Sequence, residues 1–444
     1  MTIRPLPLLL SVLLPAVGAC GNPRLDEPWC ADSPPPVTPP WSETPTYHQH
    51  VAPILDARCV GCHVDGGVGP FPLDDYAMAF AYRDLVARAT ALRTMPPFLA
   101  ADCCTEYHND FSLTDAEIET TAQWVISGGL EGDPDAGPAM TLAPVGGLSR
   151  VDVTLEVAET YTLQPQPGRA DDFRCFLVDW PVDREVFITG LNPVPGNRAI
   201  VHHLIVAALT GDAIETAEEL DAEDEGSGFD CQGGLGTVNI RDVKVLGGSL
   251  LGSDFPDGLG TRVAPGSKIL INIHYFAELE RETYEDRTAI QIRYDETARE
   301  FEGLAVANPA WIVDDGMRIE AGESDAAFWF GYEPSAFTRG DPVLLRSVTP
   351  HMHYFGKRMR VMILREDGST ECLLEIPRWD FGWEQPFWFV EPKLLRPGDE
   401  LYVECIFDNS AGNQPYGSEP RDIAWGADNQ DMCAAFASFT RGME

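Results

Sequence analysis

Two histidines stand two residues apart in Pro350-His351-Met352-His353. In an extended strand, residues i and i+2 face the same way, so the pair is a ready chelate for a transition metal. Apolar runs flank it, Val343–Val348 before and Met359–Leu364 after, and both predict strands. Two more stretches hold imidazoles among apolar residues: Val201-His202-His203-Leu204-Ile205-Val206, and Ile269–Phe276, which carries His274. A buried imidazole needs a partner for each ring nitrogen. Two arrangements answer that need: three separate core histidines bonded to backbone carbonyls, or one three-histidine site. The second has a geometric condition. Adjacent strand residues face opposite ways, so His202 and His203 meet at one metal only at a bulge, at a strand end, or through different ring nitrogens.

A second kind of chemistry sits near the N-terminus. Cys59-Val60-Gly61-Cys62-His63 is the CxxCH pattern, in which both thiols bond a haem and the histidine takes an axial position. A zinc site on the same residues requires a fourth ligand at suitable spacing, and none stands out. A helical run, Val51–Ala57, precedes the motif; a helix over Asp74–Leu92 and then Thr94-Met95-Pro96-Pro97 follow it. A last amphipathic helix is expected from Leu113 to Gly129, with Thr114 as N-cap, Glu117 three residues on, and Gly128 as C-cap. The stretch 46–133 resembles a small class I c-type cytochrome, which implies an all-α domain with haem c held by Cys59, Cys62 and His63. Met95 is the choice for sixth ligand, ahead of Met78 and His108.

The histidine stretches resemble the copper type II, ascorbate-dependent monooxygenases, the family of peptidylglycine α-hydroxylating and dopamine β-monooxygenases. The resemblance covers roughly residues 147–441. It implies two copper ions, one on His202, His203 and His274, the other on His351, His353 and Met432. Cys405-Ile406-Phe407-Asp408-Asn409-Ser410 and the stretch Gly426–Cys433 are similar to the family's segments around the methionine ligand. The implied fold is two jelly-roll-like all-β sandwiches, 147–298 and 299–444. The implied roles make His351, His353 and Met432 the catalytic oxygen site and the three-histidine set the electron site. Disulfides Cys405–Cys433 and Cys175–Cys231 are implied as well. The family's amidating branch has an Arg two residues before the HxH motif, and Asn and Tyr after the methionine. Here those positions hold Thr349, Ala434 and Phe436. The expected substrate is therefore a small organic molecule other than a peptidylglycine, with Phe436, Trp329 and Trp383 as candidates to line an apolar pocket.

Length and charge bound the rest. The chain has 444 residues, room for two to four domains, and a net charge of −39, which repels nucleic acid and anionic membrane surfaces. The acidic run Glu218–Glu225 reads as solvated loop. Eleven cysteines imply an oxidising compartment; the sequence does not choose partners for Cys30, Cys103, Cys104 and Cys372. Residues 1–19 read as a signal peptide ending Val17-Gly18-Ala19-Cys20. Cleavage before Cys20 would leave it for lipidation, whereas an ordinary signal peptide would be cut near Ala19. A Pro-rich linker over 20–45 and a second linker over 134–146 are expected. The expectation is thus a multidomain exported bacterial lipoprotein, on the periplasmic face of a membrane (the outer membrane first) or the cell surface. A small all-α cytochrome c domain precedes two all-β sandwiches. The chain uses O2, an external electron donor such as an ascorbate-like reductant or a redox protein, and no nucleic acid.

Overall fold

The computed structural model describes residues 29, 44–65, 69–108, 110–138, 147–164, 171–231, 242–247, 252–256, 258–276, 284–314, 316–415, 418–426 and 430–442. The signal peptide, Cys20, Cys30 and most of the two expected linkers lie outside these residues.

Short alternating runs make four large sheets. The first orders Val153–Glu156, Ala289–Asp295, Val186–Val194, Leu259–Val263 and Arg299–Glu300, with Ser253–Asp254 beside Val186–Val194. The second orders Phe229–Asp230, Asp171–Asp179, Lys268–Phe276, Val201–Leu209 and Val243–Gly247. One core fills the space between them, with Ile188 and Ile292 from the first sheet meeting Leu204, Ile269, Ile271 and Ile273 from the second. Alternation puts Leu270 on the other face, where Ala213 and Ala217 of the helix Asp212–Glu223 cover it. Both faces are thus buried, which is why Ile269–Ile273 is so apolar. The acidic run expected as loop largely belongs to that helix. Ala213, Ala217 and Leu220 recur at i, i+4 and i+7 and give it one apolar face, while its carboxylates face water.

The third sheet orders Glu302–Ala307, Ala434–Arg441, Val343–His351 and Phe387–Leu395. The fourth orders Ala326–Tyr332, Glu400–Phe407, Gly356–Leu364 and Thr370–Ile376. Leu345, Val348 and Phe439 from one sheet pack on Val361, Ile363 and Val403 from the other.

The expected fold class is corrected here. The N-terminal stretch does not form a separate all-α cytochrome domain; among the described residues strand outweighs helix, which makes up only 19%. Three helices, Ala52–Arg58, Tyr76–Ala91 and Asp115–Ile126, do gather around Val51, Leu55 and Trp124. Between the last two helices, however, the chain is built into the C-terminal sheets. Leu99, Ala100 and Tyr107 join the core of those sheets. Ala101 N donates to Glu375 O (2.8 Å), His108 N to Trp388 O (2.7 Å), and Val390 N to Glu106 O (3.0 Å). Tyr107 bridges Phe389, and Cys104 is disulfide-bonded to Cys372. The physical reason is burial: this stretch has apolar side chains that the helices leave uncovered and the sheets take up. Nor are the sheets laid out as two jelly rolls following that domain; among the described residues the β part is four large sheets and two two-stranded ones.

Candidate metal centre

The first histidine set is made by a register shift. Val201–Leu209 pairs antiparallel with Lys268–Phe276; His203 lies opposite His274, but the next pair is Tyr275 with Val201. His202 is the extra residue of a β-bulge, which re-aims its side chain. The geometric condition for two adjacent histidines to share a site is therefore met. A ring nitrogen from each of His202, His203 and His274 lies within 4.8 Å of the other two. Nδ1 of His202 and Nδ1 of His203 stand 3.0 Å apart. Phe173, opposite His274 in the neighbouring strand, stacks on its ring at 4.1 Å between centroids and fixes its plane. Burial first holds all three rings well below the usual histidine range; neighbouring imidazoles add to it, and at His203 burial prevails over the opposing Glu384 carboxylate. Neutral imidazoles keep lone pairs for a cation, so the donor set fits a transition metal.

The second set lies at the end of Val343–His351. That strand pairs with Ala434–Arg441, and His351 is opposite Ala434, so Met432 falls just past the end of the ladder, next to the histidines in register. The rings of His351 and His353 are 5.0 Å apart and perpendicular. Nδ1 of His353 is 3.2 Å from Gln430 O, and Nδ1 of His351 is 3.0 Å from Oε2 of Glu384. Both Nδ1 atoms are engaged, so a metal on this pair would be met through Nε2. Burial would lower the His351 imidazole, but the Glu384 carboxylate outweighs it and raises the ring above its usual value. Oε1 of Glu384 is buried with no hydrogen-bond partner among the described residues. A buried carboxylate with an open oxygen requires a compensating positive charge, and a metal on His351 would supply it.

Asp431 knits this set together. It is fully buried; Oδ1 accepts from the backbone N–H of His353 (2.7 Å) and Met432 (2.8 Å), and Oδ2 from that of Phe355 (2.8 Å). Burial pushes its carboxyl up to about 7, against the pull of those three donors. The disulfide Cys405–Cys433 braces Met432 from the other side, and Cys175–Cys231 ties the second sheet, so both expected pairings are present. Cys104 pairs with Cys372, and Cys103 is disulfide-bonded too.

The two sets face each other over one side chain. Phe381 lies 4.2 Å from the ring of His202, 5.8 Å from His274 and 6.0 Å from His353. The connection 377–386 carries it, together with Glu384 and with Trp379, whose Nε1 donates to His353 O (2.9 Å). Neither Phe381 nor Glu384 was marked by spacing or motif, because each acts through contacts with residues distant in sequence; Asp431 lies in the marked stretch Gly426–Cys433 but was given no role of its own. Phe436 is 44% exposed and 6.0 Å from the ring of His351, an apolar face open to solvent beside the second set. Trp383 packs on the C-terminal core and Trp329 is exposed on its strand.

Cys59 and Cys62 are free thiols at the end of Ala52–Arg58. Burial pushes Cys59 up to about 12, and raises Cys62 despite the nearby Arg198, so both stay protonated rather than thiolate. Nδ1 of His63 is 2.9 Å from Phe71 O. Met95 is 36% exposed in the turn after Tyr76–Ala91.

No family model matches the chain. DBH-like monooxygenase protein 1 of Homo sapiens is 20% identical over 292 residues, 61% of this chain and 45% of that protein. Its counterpart in Gallus gallus is 19% identical over 262 residues, 55% of this chain and 41% of that protein. The chain is thus distantly similar to DBH-like monooxygenase protein 1. It spans less than half the length of these relatives. Among solved structures, the major capsid protein P2 of bacteriophage PM2 covers 65% of this chain and 96% of its own, at 11% identity and a TM-score of 0.24. An allantoicase covers 60% and 81%, at 11% identity and a TM-score of 0.15. Similarity at that level does not amount to a shared fold.

Proposed function

We propose that the protein is a copper-dependent monooxygenase that hydroxylates a C–H bond of a small, partly apolar substrate with O2. The observation that carries this reading is the meeting of two histidine sets, one of three neutral imidazoles and one of two imidazoles beside Met432, across Phe381. The distant homology to DBH-like monooxygenases supports the same reaction class. Copper bound by His351, His353 and Met432 would supply oxygen activation, and copper bound by His202, His203 and His274 would supply the second electron. The chain's own residues do the positioning. The bulge at His202 converges three rings, Asp431 fixes the backbones of His353 and Met432, and Phe436 offers an apolar face beside His351. Thr349 and Ala434 offer no charge for a substrate carboxylate, so glycine-extended peptides are not substrates.

Haem c on Cys59 and Cys62, with His63 and Met95 as axial ligands, would supply electrons from an external donor. What supports it is the pair of unbridged thiols, the orientation of His63, and Arg198 within electrostatic reach of Cys62, three residues before Val201–Leu209 begins. Lipidation at Cys20 and a periplasmic or surface location complete the proposal.

Met432→Ala tests the oxygen site. The variant is expected to keep copper at the three-histidine set and to lose hydroxylation; wild-type turnover in Met432→Ala rejects the assignment. A copper-loaded protein that consumes no O2 with any reductant favours the second reading, a copper and haem electron-transfer lipoprotein with the same ligand sets.

A further inference from the structure

Each histidine of the His351/His353 pair has its Nδ1 engaged, but by unlike groups. His353 meets a neutral backbone carbonyl, Gln430 O, at 3.2 Å, whereas His351 meets a carboxylate, Glu384 Oε2, at 3.0 Å. The Glu384 side chain is only 10% exposed and that of His351 17%, so water competes little for the bond. Glu384 is not a surface residue that happens to reach inward. It comes from the connection 377–386, which also holds His353 through Trp379 Nε1 and sets Phe381 against both histidine sets. This connection sits between two strands of different sheets, Thr370–Ile376 and Phe387–Leu395, so its ends are fixed.

A carboxylate on the remote nitrogen of a metal-binding imidazole fixes the tautomer, orients the ring and makes its other nitrogen a better donor. From this geometry we infer that Glu384 is a positioning residue of the site formed by His351, His353 and Met432. It makes His351 the stronger of the two histidine donors. The inference rests on the metal reading of that site. Its consequence is an asymmetric site: a histidine carrying anionic support, a histidine with neutral support, and a thioether. The anion favours the more highly charged metal ion, so Glu384 biases the site toward Cu(II) relative to what two imidazoles and a thioether alone would give.

The test uses the full chain with His202→Ala and His203→Ala, so that only the second site loads. Cu(II) binding is followed by paramagnetic resonance, and Cu(I) binding by competition with a chromogenic chelator, for the parent and for Glu384→Gln and Glu384→Ala. Loss of the partner should weaken Cu(II) binding in Glu384→Ala by about 10–100-fold, the usual cost of removing such a group. Glu384→Gln keeps an oxygen for Nδ1–H of His351 and drops only the charge. It should lose more Cu(II) than Cu(I) affinity while its resonance spectrum keeps the parent's form. An alanine variant that binds Cu(II) as tightly as the parent overturns the inference and leaves the metal reading intact. Equal losses of both ions in Glu384→Gln, with an altered near-ultraviolet circular dichroism spectrum in the metal-free chain, also overturn it, because Glu384 would then merely hold up the fold. A parent that takes up no copper overturns the metal reading itself, and the inference with it.

Discussion

Replacing Asp431 should cost more stability than replacing any ligand it positions. Its two oxygens accept three backbone N–H groups, from His353, Phe355 and Met432, in a place with no access to water. Asp431→Ala strands all three donors. Each buried, unsatisfied donor costs about 1–3 kcal/mol, so the total is about 3–9 kcal/mol. That is comparable with the whole stability of a typical domain, about 5–15 kcal/mol. Asp431→Asn is the informative comparison. Its one carbonyl oxygen can still serve His353 and Met432, which share Oδ1, but its amide confronts the N–H of Phe355. The expected loss is therefore nearer the cost of one stranded donor, about 1–3 kcal/mol. Urea unfolding followed by tryptophan fluorescence reads both variants, and the midpoint is the quantity to compare, because a chain of four sheets need not unfold in one step. The reasoning is refuted if Asp431→Ala unfolds at the wild-type midpoint, or if Asp431→Asn is as damaged as Asp431→Ala.

His274→Ala should remove copper from the three-histidine set while the His351/His353/Met432 site still loads, which metal stoichiometry by atomic absorption checks. Paired replacement of Cys405 and Cys433 by Ser opens a loop of 28 residues and should cost about 3–4 kcal/mol by the chain-entropy relation, read as a lowered urea midpoint. Asp224 receives two hydrogen bonds from Arg174, which with other contacts hold its carboxyl below the usual range despite partial burial. A depressed folded value gives stability that is present above the ordinary carboxylate pKa, about 3.9, and lost as pH falls through the folded value. Asp224→Asn should therefore lower stability at neutral pH and flatten its decline below about pH 4, as acid titration followed by circular dichroism would show. Glycine-extended peptides should give no hydroxylated product with copper-loaded protein and a reductant, as mass spectrometry would report.

Sequence spacing located the histidines, because strand periodicity and apolar context act over a few residues. It also located the last N-terminal helix: Thr114 and Glu117 form the reciprocal cap, and Gly128 follows the end with a positive φ of 90°. The bulge that brings His202 beside His203 was legible only as a condition, since register is set by the partner strand. The independence of the N-terminal stretch was misjudged for a related reason. Nothing local tells Leu99 and Tyr107 that strands more than 250 positions downstream will bury them; Tyr107 donates its hydroxyl proton to Leu373 O across a separation of 266. Glu384 and Phe381 were invisible in the same way. An acidic and an aromatic residue in a short connection carry no periodic signal, and only the fold places them between two sites.

The bond between Cys104 and Cys372 changes what kind of delivery the N-terminal stretch can perform. Two modules on a loose tether exchange electrons by repeated encounter, and the rate then follows tether length. Here the stretch is fastened to the C-terminal sheets by a disulfide, by backbone hydrogen bonds and by shared core residues. A redox group carried at Cys59 and Cys62 would sit at one set distance from the histidines. Lengthening or shortening the segment 139–146 would then leave its transfer rate unchanged, and so would Cys104→Ser with Cys372→Ser as long as the hydrogen bonds and shared core residues hold.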